Sequence, residues 1–190
     1  GLYNRNFFEI ELERFELGRE FPVSIIMADI DGLKNTNDTL GHAAGDELLR
    51  QGANVLSSVM RTGDIVARIG GDEFVTILWN TNTDLADKVA QRCLDNIRNH
   101  SFNSLGINEP VTISIGIATQ TIDSAGSMKT LPRQADIAMY HAKKSGSRSI
   151  IHYDESMETS LAPLVSNRVI DAVIKAANTK EGIAIHYQPV

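Results

Sequence analysis

The sequence predicts an α+β domain, a mixed central sheet with surrounding helices, and three observations predict it. Val23-Ser24-Ile25-Ile26-Met27-Ala28 is a near-continuous apolar run, as expected of a central strand covered on both faces. Asp64-Ile65-Val66-Ala67 and Val75-Thr76-Ile77-Leu78-Trp79 are short and β-branched, and they flank Arg68-Ile69-Gly70-Gly71-Asp72-Glu73-Phe74 as a hairpin. Helical and strand patterns intermix along the chain, with that hairpin as the obvious antiparallel pair.

Residues 2–19 carry Leu2, Phe7, Phe8, Leu12 and Phe15 among mixed charges, which predicts a helix with one apolar face, ended by Pro22. The central strand stops at Asp29-Ile30-Asp31-Gly32. A short polar helix is expected from Asp31 to Leu40, capped by Asp31 and closed by Gly41. A longer helix, about 43–60, buries Leu48, Leu49, Val55, Leu56 and Val59. At the hairpin the two glycines are expected to supply positive φ. A helix over about 84–99 sets Leu85, Val89, Cys93 and Ile97 in one stripe, and Val111, Ile113, Ile115 and Ile117 alternate as a strand. Leu131 to Lys144 reads as helix, and Ser149 to Tyr153 as a closing strand. Leu161, Val165, Val169, Val173 and Ala176 mark one more amphipathic helix, before a strand that starts at Ile183. The expected division is a first domain over 1–155, then a linker helix and the edge of a second domain over 156–190.

At 190 residues a sizeable core is available without disulfides, and Cys93, the only cysteine, reads as a buried structural thiol. A reducing cytoplasm fits it; any sensor or membrane segment is expected before Gly1. A net charge of −6 argues against a nucleic-acid-binding face, which needs a basic footprint. No apolar run reaches the ~18 residues of a membrane span.

The chemistry concentrates at strand ends. Asp29 ends the central strand and Asp72 sits on the hairpin. If they are neighbours, two like charges about 4 Å apart cost roughly 4 kcal/mol at an effective dielectric of 20, so a counter-ion is expected. Magnesium suits one or two carboxylates, with water and phosphate completing its shell. Lys34 lies a turn past Asp31, near where a phosphate would meet a helix N-terminus. Asn37 can meet a purine edge, and Asp46 can accept the paired N–H donors of guanine; each type is also common as a cap or turn residue. Arg61 offers a fork for a phosphate or a guanine edge, with a surface ion pair to Asp64 as the alternative.

Together these residues resemble the GGDEF family of diguanylate cyclases. The resemblance rests on Asp29-Ile30-Asp31-Gly32-Leu33-Lys34-Asn35-Thr36-Asn37-Asp38, on Gly41-His42-Ala43-Ala44-Gly45-Asp46, and on the Arg68–Phe74 stretch. Val111–Ala118 resembles the family's VTxSIGIA strand, Ala135-Asp136 with Tyr140-His141-Ala142-Lys143 its late helix, and Gly1–Arg5 its TGLxNR opening. The resemblance implies a palm-type nucleotide cyclase fold and condensation of two GTP into cyclic di-GMP with release of pyrophosphate. It implies that Asp29, the Ile30 carbonyl and Asp72 bind magnesium, or manganese in its place. Asp72 would also help deprotonate the attacking hydroxyl, with Glu73 supporting the turn and the metal shell. Lys34 and Lys143 would meet phosphate, Gly71 would let it approach, and Asn37 and Asp46 would read guanine. Arg61 and Asp64 match the RxxD inhibitory product site, with Arg92 as a second product-binding arginine. Two domains must face each other as a homodimer for turnover.

Two departures stand out. Ser147 occupies the place of a phosphate-binding arginine, and Gly32-Leu33 stands where bulkier aromatic residues are frequent. The tail from Ile183 resembles the start of an EAL phosphodiesterase domain, without that domain's catalytic carboxylates. The competing expectation is therefore a GTP-binding module that controls an attached EAL enzyme with little turnover.

Overall fold

The computed structural model describes residues 2–18, 21–107, 109–124, 127–146 and 149–158. Contacts divide the chain into Gly1–Tyr153 and Asp154–Val190, and the sheet and its helices belong to the first unit. The expected helix over 161–176, the strand from Ile183, and both Ser147 and Arg148 lie outside the described residues.

Six strands form one mixed sheet in the order β1-β3-β4-β2-β5-β6. They are β1 (Tyr3–Asn4), β2 (Val23–Ile30), β3 (Ile65–Gly70), β4 (Glu73–Trp79), β5 (Ile113–Gln120) and β6 (Ile150–His152). The helices are α1 (Arg5–Gly18), α2 (Leu33–Leu40), α3 (His42–Val59), α4 (Thr83–Asn99) and α5 (Leu131–Lys144). β2 is central, antiparallel to both β4 and β5, while β1 and β6 join the two edges in parallel. No helix among the described residues is long and apolar enough to cross a membrane.

The apolar run in β2 follows from this position. Ile26, Ala28 and Ile30 bury against α3 and α4, whereas Val23, Ile25 and Met27 bury against α1 and α5. Every residue of β2 is buried. In β5, Ile113, Ile115 and Ile117 join the first of those cores. The opposite face carries small residues, and α5 lies directly on Gly116, where a Cβ would overlap Ala135 O and Met139 N. Cys93 is buried on α4, and burial pushes its thiol up to about 12, so it packs as a small apolar group.

Three local expectations are corrected. Leu2 to Asn4 are not helical: Tyr3 and Asn4 pair with Ala67 and Arg68, and Asn4 Oδ1 then accepts from Phe7 N (2.9 Å) to start α1. Asp31 does not cap α2. The cap is Gly32 at φ 85°, and the Asp31 carboxylate instead accepts from Thr112 Oγ1 (2.7 Å) and Ser114 Oγ (3.0 Å). Gly70 and Gly71 do not have positive φ. The hairpin turns through Gly71-Asp72, and its register shifts between Arg68 and Gly70, leaving Ile69 as an extra bulged residue. Gly41 does close α2, at φ 87° with its N–H on Asn37 O.

Candidate functional site

Asp29 and Asp72 belong to neighbouring strands and meet at one end of the sheet. Asp29 faces Glu73 in the β2–β4 register, and Ile30 N donates to Asp72 O (3.2 Å). The main chain thus draws the end of β2 against the hairpin tip, whatever the side chains do. Asp29 is only 3% exposed, while Asp72 and Glu73 are half-buried.

The counter-ion that this crowding calls for comes from α5. Lys143 Nζ lies 2.6 Å from Asp29 Oδ2, an ion pair that sets one ammonium against the buried carboxylate. Burial pushes the Asp29 carboxyl up to about 6; the Lys143 ammonium pulls it down, and the charges of Asp72 and Asp31 push it up again. Since the folded value exceeds 3.8, the fold favours the protonated form. That contribution is complete below the ordinary range and lost as pH rises through about 6. Ionisation then costs on the order of 3 kcal/mol. In chelator, the melting temperature of Asp29→Asn relative to the parent should rise from pH 4 to pH 6 and then level, as thermal melts would record. A flat difference would remove the raised carboxyl.

A divalent cation fits this site. Asp29 lies beside two further carboxylates, Asp72 and Asp31, and the one ammonium of Lys143 offsets only part of that negative charge. Among the described residues no three His, Cys, Asp or Glu side chains form a metal cluster. A cation here would therefore draw on one or two carboxylates, the Ile30 carbonyl and oxygens from outside the protein, a donor set that suits magnesium.

The other expected ligands fall into two groups. Lys34 is exposed in the first turn of α2. Asn37 packs on Gly45, where a Cβ would run into Asn37 Oδ1, so α2 and α3 approach closely one residue before Asp46. Asp46 lines an open groove of about 860 Å³ with Leu49, Arg50, Arg68, Gly70 and Gly71, so α3 and the hairpin share one depression. Gly71 is exposed, with nothing near its missing Cβ.

Arg61, Asp64 and Arg92 stand apart from these. Arg61 Nε pairs with Asp64 Oδ1 (3.2 Å), and the Arg61 amide donates to Asp64 Oδ2 (3.1 Å). Arg61 Nη2 also donates to Thr81 Oγ1 (2.9 Å) and to Trp79 O. The Asp64 side chain is 3% exposed, so the pair is rooted rather than a loose surface contact. Arg92 donates to Val59 O at the end of α3. Sequence reasoning missed two features: the ion pair joining Lys143 to Asp29, and two arginines on the hairpin. Arg68 donates to Gly71 O (3.0 and 2.7 Å) and Arg5 to Ile69 O (3.3 and 3.2 Å). The run of basic residues ending α5 was the available signal for the first.

With this geometry in place, comparison with known proteins is informative. The family described as diguanylate cyclase, GGDEF domain, matches residues 1–149. Diguanylate cyclase A of Treponema denticola is 42% identical over 124 residues, covering 65% of this chain and 33% of that protein. The GGDEF domain of PA1120 from Pseudomonas aeruginosa superposes with a TM-score of 0.75 at 32% identity, over 84% of this chain and 95% of that one. The coiled coil and GGDEF domain of DgcB from Caulobacter crescentus, solved in complex with c-di-GMP, gives 0.71 at 27% identity, over 80% and 81%. The chain spans about a third of the length of the first curated relative. The expected mixed sheet with surrounding helices is that of these structures, and the chain belongs to the GGDEF family of diguanylate cyclase domains.

Proposed function

We propose that this domain condenses two GTP molecules into cyclic di-GMP and releases two pyrophosphates. The observation that carries the reading is the meeting of Asp29 and Asp72 at the sheet end, where their charges press on one another beside the single ammonium of Lys143. Magnesium held by Asp29, the Ile30 carbonyl and Asp72 would supply stabilisation of the charge that develops on the α-phosphate. Asn37 and Asp46 orient guanine. Lys34 steadies the phosphates from α2, and Lys143, now held by Asp29, is within reach of the same charge. Gly71 lets phosphate approach the turn, and Glu73 supports both turn and metal. Asp72 draws the proton from the attacking 3′-hydroxyl. Each 3′-oxygen forms a bond to the α-phosphorus of the other nucleotide as the bond to pyrophosphate breaks. Such chemistry is positioning plus electrostatics. One domain holds one nucleotide, so two domains meet about a two-fold axis.

Incubation with GTP and magnesium, followed by chromatography for cyclic di-GMP and a pyrophosphate assay, tests this directly. ATP should be turned over about ten- to a hundredfold more slowly, because it lacks the paired donors that Asp46, exposed in the free domain, would accept, and a polar group covered by an unmatched base costs about 1–3 kcal/mol. GTP that binds without turnover would return the domain to the regulatory-module reading.

Product control belongs to the same proposal: Arg61 and Asp64, with Arg92 near the end of α3, bind cyclic di-GMP and restrain the domain. Arg61→Ala should keep the initial rate and lose inhibition by added product. Inhibition unchanged in that variant would leave Arg61 as the tie between Asp64 and the 79–81 turn.

A further inference from the structure

The β3–β4 ladder slips by one residue at Ile69, which has no partner on β4. A bulge of this kind bends its strand and re-aims the residues after it, here Gly70, Gly71 and Asp72. The Ile69 carbonyl is not idle, however. Arg5 reaches it from α1 with two donors, Nε at 3.3 Å and Nη2 at 3.2 Å. Arg5 is itself well anchored. The preceding residue, Asn4, pairs with Arg68 in the sheet, and its side chain starts α1 through Phe7 N. On the other side of the turn, Arg68 closes on Gly71 O. Arg5 lines a groove of about 570 Å³ with Phe8, Met27, Ile69 and Glu73, whereas Arg68 lines the groove that holds Asp46. The hairpin is therefore gripped from both of its faces.

We infer that Arg5 is a positioning residue for the turn: its guanidinium holds the bulge carbonyl of Ile69 and, together with the bond from Ile30 N to Asp72 O, sets where the Asp72 side chain sits against Asp29. The inference rests on the cyclase reading for its kinetic consequence but not for its structural one. A planar fork on one carbonyl resists both tilting and sliding of the bulge, which a single-point donor does not. Without it, the two-residue turn is held by the ladder, by the bond from Ile30 N to Asp72 O, and by Arg68 from within the hairpin. Asp72 then samples positions away from Asp29, and small misplacements of reacting groups are costly.

The test uses Arg5→Ala, Arg5→Lys, and Arg14→Ala as a control on the same helix, since Arg14 pairs with Glu11 and lies over the Phe15 ring, away from the hairpin carbonyl. Hydrogen exchange should show faster exchange at the amides of residues 70–73 in Arg5→Ala and none of this in Arg14→Ala. Turnover of GTP should fall about tenfold or more in kcat, with a smaller change in KM, because Asn37 and Asp46 on α2 and α3 are untouched. Arg5→Lys, which keeps one donor, should fall between the two. Should Arg5→Ala fail to fold, Arg5→Lys alone decides, on the same two readouts. Unchanged exchange at residues 70–73 overturns the inference, as does unchanged kcat in an active parent. If the parent makes no cyclic di-GMP, the cyclase reading fails while exchange still decides the role of Arg5.

Discussion

Asp72→Ala should leave the domain folded and reduce cyclic di-GMP formation by about a hundredfold to a thousandfold or more, the scale on which preorganised charge acts at a reacting centre. The fold should survive because the structural contact of Asp72 is made by its backbone: Ile30 N donates to its carbonyl, which alanine retains. The side chain, by contrast, supplies charge next to Asp29. Removing it withdraws one of the influences that raise the Asp29 carboxyl, so that group should titrate lower in the variant. Two measurements therefore separate the outcomes. Rates report the loss of chemistry, and carboxyl titration by NMR reports whether Asp72 faced Asp29 at all. Wild-type turnover in Asp72→Ala would rule out the mechanism. A lost rate with an unmoved Asp29 titration would place Asp72 elsewhere in the site.

The largest stability effect is expected far from the hairpin. Gly116→Ala inserts a methyl group where α5 rests on β5, and the atoms it would meet are backbone: Ala135 O, Met139 N, and Met139 Cα at 2.8 Å. A flexible side chain could turn away, but a helix backbone can yield only by lifting off the sheet. Ala135 and Met139 are both buried in the core that β2 shares with α1, so lifting α5 opens that core as well. Overpacking a core costs about 1–3 kcal/mol and more where backbone must move. At about 2–4 °C per kcal/mol for a chain of this size, a drop near 10 °C in melting temperature is expected. Lys143 rides on the same helix, so its hold on Asp29 should loosen too. A melting temperature within a degree or two of the parent would mean that α5 slides along β5 without cost.

These cases show which features the sequence made legible. β2 could be read because burial on both faces leaves Ser24 as the one polar residue between Val23 and Ala28, and α2 could be ended because Gly41 sits at positive φ. Asp29 and Asp72 could be paired because a strand end and a hairpin tip are where sheets present such groups. The misreadings concern residues whose partners lie far along the chain. Tyr3 and Asn4 look like the start of a helix until β3, more than sixty residues later, offers a ladder. Asp31 has the chemistry of a cap, yet two hydroxyls on and beside β5 provide better-placed donors. Gly70 and Gly71 suggest left-handed backbone, but a bulge at Ile69 makes the turn without it. In the first two cases a local preference lost to a tertiary contact that no window of sequence contains; in the third it lost to a bulge within the hairpin itself.

The sheet ends in very short strands on both sides, two residues in β1 and three in β6. Such edges offer few free amides and carbonyls to a neighbouring chain, which guards against edge-to-edge aggregation. It also bears on how two of these domains could join. Strand addition across either edge would gain only a few main-chain bonds, so encounters must rely on helix faces and hairpin tips. Contacts of that kind separate easily, which suits the proposed reaction, in which product would leave from between two domains.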